Sequence, residues 1–258
     1  MAITVQTPAA EAPPKGIPMN STRKIAFVAG VFYLITFISI PTLALYSPVM
    51  NHRNWILGSG SHTGVVGGAF LEVIVALAGI ATAVTLYPVV KRQNEGAALG
   101  FVAARVFEAG MILTGVVSLL SLVTLRQHLG AAAGAPAAAL VTIAASHVAV
   151  YKWAFLLGQS LMPAINALLL GSLLYRSRLV PRIIPLIGLI AAPFLLCTVI
   201  ATLFGGFKLG SPELAAVPVA AWELSLGLWL VLKGFRPSPI TAAMDAAGGP
   251  HVYQDVAV

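Results

Sequence analysis

Six runs of mostly apolar residues, at 25–45, 64–90, 97–125, 151–175, 183–204 and 213–232, constrain this chain more than any other feature. Each is about 20 residues or longer, enough for a helix rising 1.5 Å per residue to cross a hydrocarbon layer of about 30 Å. Backbone N–H and C=O groups immersed in lipid must find partners inside their own segment, so each run is predicted to be an α-helix. The expected fold is therefore all-α: a polytopic membrane helix bundle with six transmembrane helices.

Composition agrees. Asp, Glu, Lys and Arg make up 9% of the 258 residues, against roughly 25% in soluble domains, too few to cover a water-exposed surface. A net charge of +7 would suggest nucleic acid in a soluble protein. Here the basic residues flank the apolar runs, which is a topology signal, and no nucleic-acid partner is expected. Lys15, Arg23, Lys24, Lys91, Arg92, Arg176, Arg178, Arg182, Lys233 and Arg236 fall on one side, and only Arg53, Arg126 and Lys208 on the other. The positive-inside rule then puts both termini in the cytoplasm, N-in/C-in.

Residues 1–24, with Pro13, Pro14 and Pro18 and no apolar core, read as a disordered cytoplasmic tail rather than a signal peptide. Residues 25–235 form the membrane domain. Residues 236–258, with Pro237, Pro239, Gly248, Gly249 and Pro250, read as a second disordered tail, too polar and broken to pack. The apolar region before Tyr175 exceeds one membrane thickness, so a short external or interfacial helix over 138–150 is expected ahead of span four. Trp55 marks an interfacial loop. The only cysteine, Cys197, is expected as a buried thiol. No internal repeat or inverted pair of halves is visible, which counts against a transporter.

Chemistry is expected where charge enters the spans. Glu72, Glu108 and Glu223 are three of only eight acidic residues, yet they lie inside predicted helices, where a charge costs about 2.5 to 3.5 kcal/mol at mid-bilayer. Helical rise puts all three roughly 12 to 16 Å from the nearer helix end, in a common layer. Arg105, three residues before Glu108, shares its helix face and can pair with it. One arginine leaves excess negative charge among three carboxylates, and a carboxylic acid beside an arginine-paired carboxylate is a general acid/base arrangement. Gln159 and Asn166, seven residues apart on one face of span four, and Lys152 at its external end are the expected ligand-binding groups. Spans one and five look apolar. The same carboxylates also serve, in the plainer reading, as polar glue between helices.

His52, His62, His128, His147 and His251 show no four-residue helical spacing, and no metal site is expected. Phosphate loops, dinucleotide fingerprints and serine elbows are missing as well, so no cofactor is expected.

Several stretches carry a resemblance: Gly67-Gly68-Ala69-Phe70-Leu71-Glu72, Leu99-Gly100-Phe101-Val102-Ala103-Ala104-Arg105-Val106-Phe107-Glu108, Tyr175-Arg176-Ser177-Arg178-Leu179-Val180-Pro181-Arg182, and 218–223 with 230–235. Together they resemble the bacterial integral membrane family catalogued as domain of unknown function 4386, over roughly 22–235. The resemblance implies six helices and a bacterial inner membrane, and it supplies no activity, substrate or catalytic residue.

Three functions stand open on the sequence. The first is an intramembrane enzyme acting on a lipid or isoprenoid-like substrate, with Glu72, Glu108 or Glu223 as proton donor and Arg105 setting the charge. The second is a small proton-coupled transporter using those carboxylates as a relay. The third is a structural or partner-binding membrane protein with no catalytic activity. Membrane lipids and an apolar small molecule are the expected partners.

Overall fold

The computed structural model describes residues 21–58, 61–128, 136–208 and 213–247. Among them are nine α-helices and no strand: α1 (Ser21–Thr36), α2 (Thr42–Asn51), α3 (Thr63–Val90), α4 (Glu95–His128), α5 (Ala137–Phe155), α6 (Met162–Ser177), α7 (Ile183–Leu203), α8 (Glu213–Leu232) and α9 (Pro239–Ala247). Six helical segments are long and apolar enough to cross a membrane, α1 with α2 and α5 with α6 each counting as one. Large apolar side chains point outward: Phe70, Leu77, Val117, Ile190 and Phe194 are between 61% and 68% exposed. Water would penalise that surface by about 25 cal/mol per Å², whereas lipid tails are its natural neighbour. The chain is a multi-pass membrane protein.

The spans close into a ring. α1 packs on α3 and α8, α3 on α4, α4 on α6, α6 on α7, and α7 on α8, while α5 leans on α4. Small residues set one close crossing. A Cβ added at Gly30 of α1 would sit 2.8 Å from the carbonyl oxygen of Gly227 in α8, so only glycine lets these backbones approach so closely. Arg23, Lys24, Lys91, Arg92, Arg176, Arg178, Arg182, Lys233 and Arg236 flank span ends that fall together at one end of the up-and-down ring, the basic end; the opposite end is the far end.

Two spans are not the plain helices expected. Span one, read as an unbroken run over 25–45, tightens into a 3₁₀ turn at Phe37–Ser39 and restarts as α2 at Thr42. Pro41 is the cause, because it offers no N–H to the carbonyl of Phe37 and its ring crowds that group. Hydroxyls donate to backbone carbonyls through the break: Thr36 Oγ1 to Tyr33 O at 2.6 Å, Ser39 Oγ to Thr36 O at 2.9 Å and Thr42 Oγ1 to Ser39 O at 2.5 Å.

Span four corrects a second expectation. No separate helix occupies 138–150; α5 and α6 run on continuously as Ala137–Ser177 through a π-helical turn at Leu156–Leu161. Nothing near Val150 and Tyr151 breaks a helix, since Ala149, Val150, Tyr151 and Lys152 include neither proline nor glycine. The irregularity instead falls just before Pro163, whose ring would clash with the carbonyl of Gln159 in a regular helix.

The expected tails change too. Most of the first lies outside the described residues, but α1 already begins at Ser21. In the second, residues 239–247 form α9, and Ile240 and Met244, four apart on one face, pack on the main core. Thr22 donates to Asp245 Oδ1 from its backbone N–H at 3.3 Å and from Oγ1 at 2.9 Å. A carboxylate thereby caps the first turn of α1, where the helix dipole favours negative charge. Arg23 reaches the other way, donating to the carbonyls of Leu230 and Val231 at 2.8 and 2.6 Å and closing the end of α8. Cys197, expected to be buried, is exposed on α7 instead.

Candidate functional site

Polar side chains from five of the six spans meet inside the ring, but as two groups rather than one. The first is built on α4. Arg105 and Glu108 are one helical turn apart and face inward; Arg105 Nη1 lies 3.0 Å from Glu108 Oε2. Its other terminal nitrogen pairs with Glu223 Oε1 of α8. Asn166 of α6 donates to Glu108 Oε2 at 2.8 Å. The guanidinium also lies 5.3 Å from the ring centre of Tyr33 and 5.8 Å from that of Phe101, within cation–π range. Arg105 is 3% exposed and Glu108 8%, so no bulk solvent screens the pair.

Glu72 of α3 stands apart from this triad. Its carboxylate accepts hydrogen bonds from Tyr46 of α2 at 3.2 Å, Tyr151 of α5 at 3.1 Å and Gln159 of the π-helical turn at 3.4 Å. The two tyrosine rings meet edge to face with centroids 5.4 Å apart. Gly68, one turn before Glu72, makes room for them: a Cβ there would lie 2.5 Å from the Tyr46 ring. The expectation of one shared carboxylate cluster therefore divides. Arg105 holds Glu108 and Glu223, while Glu72 is held by neutral donors.

A cavity of about 220 Å³ lies against the triad. Arg105, Glu108 and Glu223 form its charged wall, and Gln159, Thr36 and Ser39 add further polar groups. Val75, Ile112, Phe155 and Val219 make much of the remainder apolar. Gln159 touches both the cavity and Glu72, so it is the link between the two groups. The break in span one opens onto the same space through residues 36–40. Irregular backbone at membrane depth is tolerated where it lines a cavity or is buried in protein, and this break satisfies that condition.

Of the expected ligand-binding groups, Gln159 is on the cavity wall. Asn166 is fully buried behind it against Glu108, and its amide oxygen has no hydrogen-bond partner among the described residues. Lys152 is elsewhere: it lines a different pocket at the far end, with His52 and Arg53. Fourteen residues, about 21 Å of helix, separate it from Asn166 beside Glu108, farther than a lysine side chain reaches. Span one, expected to be apolar, supplies Tyr33, Thr36 and Ser39. Their signal in the sequence was Pro41 beside hydroxyl residues, together with tyrosines placed away from the interface.

Chemically, one guanidinium against two carboxylates leaves a net charge of −1 on the cavity wall, which a proton or a cationic group would balance. No curated protein sequence and no solved structure matches the chain. Residues 28–234 match the sequence model of a family described as Domain of unknown function (DUF4386), and that match spans all six membrane segments. This six-span membrane protein belongs to the DUF4386 family.

Proposed function

We propose that the cavity beside Arg105 is a proton-exchanging site for an apolar molecule drawn from the membrane, a lipid or isoprenoid-like substrate. The observation that carries this reading is a charged wall of Arg105, Glu108 and Glu223 facing a cavity whose other walls are largely apolar. An apolar molecule fits the walls. The carboxylates are the groups able to give it a proton or take one back, and Arg105 holds both in place while limiting their charge. Glu72, with Tyr46, Tyr151 and Gln159, sits one step behind as a second proton acceptor. The protein would act in the bacterial inner membrane with both termini in the cytoplasm, which is the orientation that the crowding of Lys and Arg at the basic end favours.

A second reading is a small proton-coupled carrier. It is favoured by the break in span one and the π-helical turn in span four, both on the cavity wall, because interrupted helices mark substrate sites in many transporters.

Native mass spectrometry and lipidomics of the purified protein in mild detergent test both readings, comparing the wild type with Glu108→Gln and Glu223→Gln. The expected result is an apolar molecule that co-purifies with the wild type and is lost or chemically altered in a Gln variant. A molecule converted by the wild type alone supports the enzyme; one bound unchanged by the wild type and lost in a variant supports the carrier. Ligand-free wild type, with variants that only melt earlier, would leave the triad as packing and refute both.

A further inference from the structure

The far end of the bundle holds a second pocket, of about 160 Å³, away from the triad. Two segments remote in sequence build it. The turn after α2 contributes His52, Arg53 and Trp55, and α5 contributes Lys152. We propose that this pocket binds a phosphate group, presented either by a lipid headgroup or as free phosphate.

Charge is the first argument. Arg53 and Lys152 line one pocket, no carboxylate lines it with them, and neither is ion-paired with a carboxylate among the described residues. A third cation flanks it: Arg126 stacks on Trp55 at 4.2 Å and is anchored by donating to the carbonyl of Gly58 at 3.0 and 2.7 Å. Like charges gathered in one concavity repel each other and raise the local potential, which an anion relieves. A guanidinium fork beside a compact ammonium suits a tetrahedral oxyanion with several acceptor oxygens.

Depth is the second argument. The pocket sits where α2 ends and the turn at residues 52–57 leads toward α3, at the far end of the spans. Loops joining membrane-crossing helices lie at the headgroup level, where tryptophans such as Trp55 are favoured. Val49, Ile56 and Val148 give the pocket an apolar side for the start of an acyl chain.

The test titrates the full-length protein in nonionic detergent with phosphatidylglycerol, counting retained lipid by native mass spectrometry, with and without inorganic phosphate. The wild type is expected to retain the anionic lipid. Arg53→Gln and Lys152→Gln should each weaken retention about five-fold at unchanged melting temperature, whereas Lys152→Arg keeps it. Displacement by inorganic phosphate identifies the phosphate group itself as sufficient; retention despite phosphate identifies the lipid, with its chain, as the ligand. If the wild type retains neither, or if the Arg53→Gln/Lys152→Gln double variant binds as well as the wild type, the proposal is overturned.

Discussion

Replacing Arg105 with glutamine should be far more damaging than neutralising either of its partners, and the asymmetry follows from counting charges. Glu108 and Glu223 face one guanidinium in a site nearly closed to water. Arg105→Gln leaves two buried carboxylates with no compensating charge. Breaking a buried pair in this way costs about 3 to 5 kcal/mol. Loss of the contacts with the Tyr33 and Phe101 rings adds about 0.5 to 1 kcal/mol each. Glu223→Gln behaves differently: it keeps the shape and an acceptor oxygen, leaves Arg105 and Glu108 as a one-to-one pair, and should cost no more than about 1 kcal/mol. The triple variant with Gln at 105, 108 and 223 should recover most of the loss, because the buried charge is then gone altogether. Reversible unfolding in mixed micelles, followed by tryptophan fluorescence, measures all three. If Arg105→Gln costs less than Glu223→Gln, or the triple variant is as unstable as Arg105→Gln, the charge accounting of the triad is wrong.

Other expectations are simpler. Gly30→Leu should destabilise the bundle by about 1 to 3 kcal/mol by forcing α1 and α8 apart, read in the same unfolding assay; an unchanged midpoint would mean the crossing is looser than described. Asp245→Ala should remove the cap on α1, at about 1 kcal/mol, and speed amide exchange in both α9 and the first turn of α1, whereas faster exchange in α9 alone would deny that the carboxylate caps α1. Cys197 faces outward from α7, so a membrane-impermeant charged maleimide should leave it unlabelled in sealed or open liposomes while an apolar maleimide reacts. Labelling by the charged reagent would place this face of α7 in water.

Arg105, Glu108 and Glu223 could be singled out in the sequence because ionised groups in apolar runs are costly enough to stand out one at a time. Their pairing within α4 follows from helix geometry alone. That Glu223 joins them and Glu72 does not depends on the order of helices around the ring, which no helix's own periodicity encodes. The triad's neighbours were harder still. Tyr33 and Tyr151 read as ordinary apolar-run aromatics, and Tyr46 as the start of an external loop, until the fold places Tyr46 in α2 and brings their hydroxyls or rings to a charge. Pro41 and Pro163 were visible, but whether a proline kinks, tightens or unwinds a helix is decided by the hydroxyls and neighbours that receive the freed carbonyls. α9 was legible in retrospect from the spacing of Ile240 and Met244, yet nine residues give too little apolar surface to predict docking without the groove that receives them.

The continuous fourth span has a mechanical consequence. At 41 residues it is about 60 Å long, twice what the hydrocarbon core requires, and its π-helical turn falls near the middle. The π-helical turn at Leu156–Leu161 divides it into two arms of about 30 Å each. Gln159, in that turn, bonds Glu72 and borders the cavity, while the outer arm carries Lys152. A tilt of about 10° in that arm would move its tip by about 5 Å and rotate the amide of Gln159 against its neighbours. Any such tilt would have to be taken up at the π-helical turn, beside the cavity, because the rest of the outer arm is packed on α4.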